Sequence, residues 1–161
     1  MGSRSDRPVS RPYCSRVCCT YAMKEAMQIK MSWPDTQVYI IYIDLRAFGK
    51  GHEELYRKAA EAGIVFIRGG VEVQEIPESK NLLLRVEDTL SGRVLEIEAE
   101  LVVLSVGIDH NPDNEQLASV LRIPLDENGF FSEAHPKLRP SDTVRKGIFV
   151  AGTCQGPKDI N

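Results

Sequence analysis

The sequence predicts an α/β fold with a parallel βαβ core and an antiparallel β-meander insertion, and three observations lead there. A β-branched apolar run, a glycine-bearing loop, an amphipathic stretch and a second apolar run follow one another within about thirty residues, the order of a βαβ unit. Short alternating runs separated by turn residues come next, as in a meander. Two later apolar runs end in glycine and have the continuous hydrophobicity of strands covered on both faces. At 161 residues the chain can build one domain with its own core.

Each element has its own signal. Residues 1–13 are polar, aperiodic and carry Pro8 and Pro12, so an extended lead-in is expected. From about Ser15 to Met31, Val17, Tyr21, Met23, Ala26, Met27 and Ile29 fall at helical spacing among good helix formers, and Pro34 ends the run. Gln37–Asp44 reads as a buried strand, Arg46–Gly51 as a loop, and Glu53–Ala62 as a short amphipathic helix that Gly63 stops. Ile64–Ile67 is the second parallel strand. Val71–Ile76, Leu82–Glu87 and Val94–Ile97 form the meander, with Ser91-Gly92 at one turn. Leu101–Val106, closed by Gly107, and Gly147–Gly152 read as buried strands. Asn114–Leu121 has room for a turn or two of helix, and Arg122–Lys146 is rich in turn residues.

Composition narrows the classes of function. A hydrophobic fraction of 42% and a charged fraction of 27% are those of an ordinary soluble chain. A net charge of −3 gives no basic footprint for nucleic acid. No run of eighteen apolar residues predicts a membrane span, and no apolar leader predicts export, so a cytoplasmic location is expected.

Three of the four cysteines, Cys14, Cys18 and Cys19, lie within six residues. Such clustering points to a metal or redox centre rather than a disulfide framework. Cys14 and Cys18 are four apart, so one turn of helix would place both sulfurs on one face, beside the positive helix start that favours thiolates. Three thiolates suit an iron–sulfur cluster; zinc held by the same thiolates and one histidine, or neutral buried cysteines, are the competing readings. His52, His110 and His135 sit beside glycine or proline and read as exposed; Cys154 stands alone. No G-x-G-x-x-G occurs, so the pyrophosphate turn of a dinucleotide fold is not in this sequence. Asp44, at a strand end, has the place of a ribose-binding acid but reads better as a solvated turn residue.

Four segments resemble the A-type subunit of heterodisulfide reductase: Pro12–Cys19, Asp44–Gly51, Glu133–Pro140 and Gln155–Ile160, in order and at sensible spacing. The resemblance implies a thioredoxin-reductase-like, FAD/NAD(P)-binding fold present as a partial domain. It divides the chain into 1–36, a cysteine-bearing cluster segment and helix; 37–107, a nicotinamide-domain-like βαβ with its meander; and 108–161, a return to the flavin domain. It implies FAD and [4Fe–4S] as cofactors and flavin-based electron bifurcation in the full complex of methanogenesis. The implied partners are B- and C-type subunits, a hydrogenase or dehydrogenase donor, and ferredoxin.

Carried over residue by residue, Cys14, Cys18 and Cys19 are three of four cluster ligands. Lys24 is a cation near flavin N5. Gly107 closes the strand leading out of the nicotinamide-type insertion, and Gly152, Thr153, Gln155 and Gly156 form the turn that approaches the flavin. Thr153 stands where related flavoproteins carry an acid. The family's fourth ligand would fall just before Met1, and the Gly-rich FAD turn is absent, so the isolated chain is expected to be inactive. Alternatives of another class are a non-catalytic docking or scaffold domain and a small zinc-binding module.

Overall fold

The computed structural model describes residues 11–159. The chain divides into two compact units, the first holding Cys18–Val106 and the second the described residues 11–17 and 107–159. Both a parallel and an antiparallel sheet are present, which makes the fold mixed α/β as the sequence predicts.

In the first unit, α1 (Cys18–Ser32) is followed by β1 (Tyr39–Tyr42), α2 (His52–Glu61) and β2 (Val65–Arg68). The strands β1 and β2 are parallel, with Tyr39 opposite Val65 and Tyr42 opposite Arg68. Burial explains their continuous apolar character. Val38 and Ile40 pack on a cluster of Met23, Ala26, Ala59 and Ile64 from the helical side. Ile41 packs instead with Ile67, Leu84 and Val86, so β1 is partly covered on both faces, though none of its residues reaches the full burial that the sequence predicts. Gly51, at φ +81°, turns the chain into α2, and Glu53 and Glu54 complement the helix dipole. At the far end of α1 the Lys30 ammonium donates to the carbonyls of Pro34 and Thr36 beyond the helix.

The meander consists of β3 (Val71–Glu75), β4 (Leu82–Asp88) and β5 (Arg93–Ala99), in that order and antiparallel. Its register aligns Val71, Val86 and Leu95 on one face, and Val73, Leu84 and Ile97 beside them. Gly69 makes the passage from β2 into the meander possible. A Cβ there would lie 1.8 Å from the Glu87 carbonyl oxygen, so no other residue fits without backbone movement.

The second unit holds α3 (Asn114–Leu121) and a 3₁₀ turn (Gly152–Gln155). Its apolar core is Ala118, Ile123, Phe131 and Val150, with Leu121, Leu125 and Ile148 around it. Among its described residues, pairing is limited to isolated bridges, such as Asp142 with Phe149. Side chains take over the ladder's work. Thr143, 1% exposed, donates to the carbonyl of Ile148 or Arg145 and accepts from the Arg145 N–H.

Three expectations are corrected. The first helix begins at Cys18, not near Ser15, because Arg16 takes φ +62° and interrupts any helical path through it. Leu101–Val106 is not a buried strand. It joins no ladder among the described residues, and Leu101, Val103, Leu104 and Val106 are 60–74% exposed. An apolar run supplies strand-like side chains, but a strand also needs a neighbour for its backbone. Gly147–Gly152 likewise forms one bridge at Phe149 rather than a strand. Gly147 sits in a turn at φ +86°, and only Val150 of the run is fully buried.

Candidate functional site

The sequence-predicted residues fall into two groups, one in each unit. In the first unit Cys18 and Cys19 occupy the opening turn of α1, where the positive end of the helix dipole favours anionic sulfur. Cys19 is held at about 6, well below an ordinary thiol. The hydrogen bond from Cys18 is the main cause, burial opposes it, and the Arg46 N–H, 3.5 Å from Cys19 Sγ, adds to the lowering. Arg46 sits in the loop after β1 and pairs its guanidinium with Asp44 at 3.0 Å. Asp44 is therefore engaged as a turn acid. Two family-like segments, Cys18-Cys19 and Asp44–Arg46, thus meet at one sulfur.

The start of α1 is also tied to the stretch after β5. Ser105 Oγ donates to the Cys18 carbonyl at 3.1 Å, and the Tyr21 hydroxyl donates to the Val106 carbonyl. Lys24 lies one turn along α1 with its side chain exposed.

In the second unit Cys14 lies in an irregular segment rather than on a helix, and its sulfur accepts the Arg16 N–H at 3.3 Å. The expected one-turn relation between Cys14 and Cys18 therefore does not exist, since the helix that would create it starts only at Cys18. Gly107 is exposed, outside any helix or strand, at the start of this unit's second segment. Gly152 and Thr153 open the 3₁₀ turn and are exposed; Gly152 has φ +64° and Gly156 φ +137°. A Cβ at either glycine would meet nothing within 4 Å, so the backbone there is open to a ligand's close approach.

The Gln155 side chain is engaged within the unit. Its amide nitrogen donates to Glu133 at 2.6 Å and to the Pro140 carbonyl at 2.9 Å, while its oxygen accepts from Lys158. The bond to Glu133 holds that carboxyl below its usual range. Gln155 thus knits the Glu133–Pro140 segment to the segment that begins with itself. The last residue of that segment, Ile160, lies outside the described residues.

The histidines are more engaged than expected. His52 Nδ1 accepts the Gly49 N–H at 3.1 Å, closing the loop before α2. His110 is partly buried and meets Phe130 edge-on. His135 is exposed, with Nδ1 facing the N–H groups of Lys137 and Leu138.

All four cysteines are outside any disulfide. In kind, these donors fit an iron–sulfur cluster: soft sulfur, already favoured as thiolate at Cys19. Among the described residues, no group of three or more His, Cys, Asp or Glu side chains is gathered to hold a metal ion. Sequence reasoning missed Arg46, Ser15 and Asp109, whose contributions are hydrogen bonds with no periodic signature.

No family model matches the chain. Individual proteins decide the matter. The chain is 55% identical over 162 aligned positions to the iron–sulfur A-type subunit of the CoB–CoM heterodisulfide reductase of Methanocaldococcus jannaschii, covering 99% of this chain and 24% of that protein. The chain matches one part of the heterodisulfide reductase A-type subunits. Identity is 54% to the corresponding subunit of the H₂/formate:CoB–CoM heterodisulfide,ferredoxin reductase of Methanococcus maripaludis, over 99% of this chain and 24% of the relative. It is 47% to that of the ferredoxin:CoB–CoM heterodisulfide reductase of Methanosarcina acetivorans, over 99% of this chain and 20% of the relative. The chain spans about a quarter of the length of the curated relatives it matches. Among the described residues, no helix is long and apolar enough to cross a membrane.

Proposed function

We propose that this chain serves electron transfer within the FAD- and [4Fe–4S]-dependent A-type subunit of a heterodisulfide reductase, on a thioredoxin-reductase-like framework. The observation that carries the reading is the adjacent pair Cys18 and Cys19 at the start of α1, with Cys19 favoured as thiolate by the bond from Cys18, in a chain about half identical over its length to proteins named as iron–sulfur subunits. Cys14, Cys18 and Cys19 would hold the cluster, with the fourth ligand supplied from outside this sequence. A cluster so held supplies one-electron exchange.

The chain's own residues have distinct tasks in this reading. The Arg46 N–H orients Cys19 and favours its anionic form. Ser105 and Tyr21 fix the helix start that presents both thiols. Gly152 and Gly156 allow backbone to approach the flavin with no side chain in the way, and Thr153 faces it without adding negative charge. Lys24 offers a cation for the reduced ring, and Gly107 ends the connection that leads out of the meander-bearing region. Gln155 supports this turn from behind through Glu133 and Pro140. B- and C-type subunits, a hydrogenase or dehydrogenase donor, and ferredoxin are the proposed partners, and the cytoplasm the proposed location; bifurcation belongs to the whole complex.

The test is anaerobic reconstitution with iron and sulfide, with and without FAD, followed by visible absorption and low-temperature EPR. A broad visible band that bleaches on reduction and is lost in Cys18→Ser is expected. A colourless chain that takes up neither iron nor flavin, even with a small thiol added as the fourth ligand, would contradict the redox reading and favour a docking or scaffold domain.

A further inference from the structure

We infer that residues 11–16 form a clamped strap that sets the position of the Cys14 thiol, with Ser15, Tyr13 and Asp109 as its positioning residues. The inference rests on the reading of Cys14 as a cluster ligand. Three alternate residues of the strap seat on the same two residues, Ile108 and Asp109. Ser15 Oγ accepts the Ile108 N–H at 2.8 Å. The Tyr13 hydroxyl lies 3.2 Å from both the Ile108 carbonyl and Asp109 Oδ1. The Arg11 guanidinium binds Asp109 Oδ2 through two nitrogens.

These contacts differ in strength. Arg11 and Asp109 are roughly half exposed, so water and salt screen their attraction. Ser15 is 1% exposed, and water cannot replace its bond to Ile108. The Tyr13 ring adds an edge-on contact with Phe130 at a centroid distance of 5.5 Å. On the other side of Cys14, Arg16 holds φ +62°, a conformation a residue with a Cβ keeps only when its surroundings fix it. The Arg16 N–H bonds the Cys14 sulfur, and its guanidinium reaches Asp159 at 3.9 Å. Cys14 therefore sits beside a buried anchor, Ser15, and a fixed left-handed turn one residue further on. Its sulfur accepts one defined N–H, and the residue remains partly accessible. The arrangement orients a sulfur and leaves it available.

The test uses the full 161-residue chain. Alkylation of Cys14 and Cys154 by iodoacetamide is followed by peptide mass spectrometry, with Cys154 as internal reference. Ser15→Ala is expected to speed Cys14 labelling by roughly five- to tenfold with Cys154 unchanged, and Asp109→Asn by a smaller factor in the same direction. Should Ser15→Ala fail to fold, Asp109→Asn and Tyr13→Phe carry the comparison. Cys14 rates equal to native in folded variants would overturn the strap. The reconstituted variants are also expected to show shifted EPR g-values relative to native, which a purely structural change elsewhere would not produce. If native protein forms no cluster while the variants still release Cys14, the cluster reading fails and the strap stands.

Discussion

Val17 and Cys18 are neighbours in sequence, yet they belong to units held together by different means. The unit from Cys18 to Val106 rests on two helices, a parallel pair and a three-stranded meander, with apolar clusters on both sides of β1. The other unit has, among its described residues, one α-helix, a 3₁₀ turn and isolated bridges. The buried polar side chains among the described residues, Ser15, Asn114 and Thr143, all lie in this second unit. Each supplies a partner that a ladder would otherwise provide: Asn114 donates to the Gly129 carbonyl, Thr143 serves Arg145 and Ile148, and Ser15 serves Ile108. Apolar burial dominates in one unit, and specific hydrogen bonds substitute for regular pairing in the other.

Substitutions should break that contrast in opposite ways. The largest effect is expected for Gly69→Ala, where a Cβ would collide with backbone at Glu87; a loss of about 3 kcal/mol or more in urea unfolding is predicted. Met23→Ala empties a fully buried site beneath α1 and should cost roughly 2–5 kcal/mol by the same measurement. Thr143→Val keeps shape and the backbone bond from residue 143 to the Ile148 carbonyl but strands the Arg145 N–H, at about 1–3 kcal/mol. Hydrogen exchange should localise that last effect to residues 143–150 and leave the β3–β5 amides protected. The converse pattern would mean the two units do not differ as described. Arg57→Ala, which removes an exposed i,i+4 pair with Glu53, should cost only about 0.3–0.5 kcal/mol.

A pH series sharpens the contrast at the cysteines. Cys19 titrates near 6 in the folded chain and near 9 when unfolded, so the unfolded form binds more protons between those values. Stability should therefore rise as pH increases from about 6 toward 9, and this contribution should disappear as pH falls through 6. Cys19→Ser should flatten that slope, and Cys19 alkylation should show a midpoint near 6. A thiol-like midpoint near 9 would remove the case for a preformed thiolate.

The same contrast explains what is legible in the sequence. The βαβ unit and the meander announce themselves through the continuous apolar character of β1 and the alternation along β4 and β5. Leu101–Val106 misleads, since its side chains are those of a strand while no strand pairs with it among the described residues. The left-handed Arg16 has no local signal, and it alone turns one expected cysteine helix into a strap followed by a helix. Ser15 and Asp109 look like ordinary polar residues until the fold brings residues 93 or more positions apart into contact. Gln155 is legible as part of a family segment, while the bonds by which its side chain braces the turn have no local signal.

The central proposal is that Cys14, Cys18 and Cys19 hold an iron–sulfur cluster. Native mass spectrometry of the chain after anaerobic incubation with iron, sulfide and competing zinc tests it most directly. The account predicts a mass increase matching a [4Fe–4S] cluster that is lost in Cys18→Ser and Cys19→Ser. A single bound zinc in place of iron, lost in the same two variants, would contradict it.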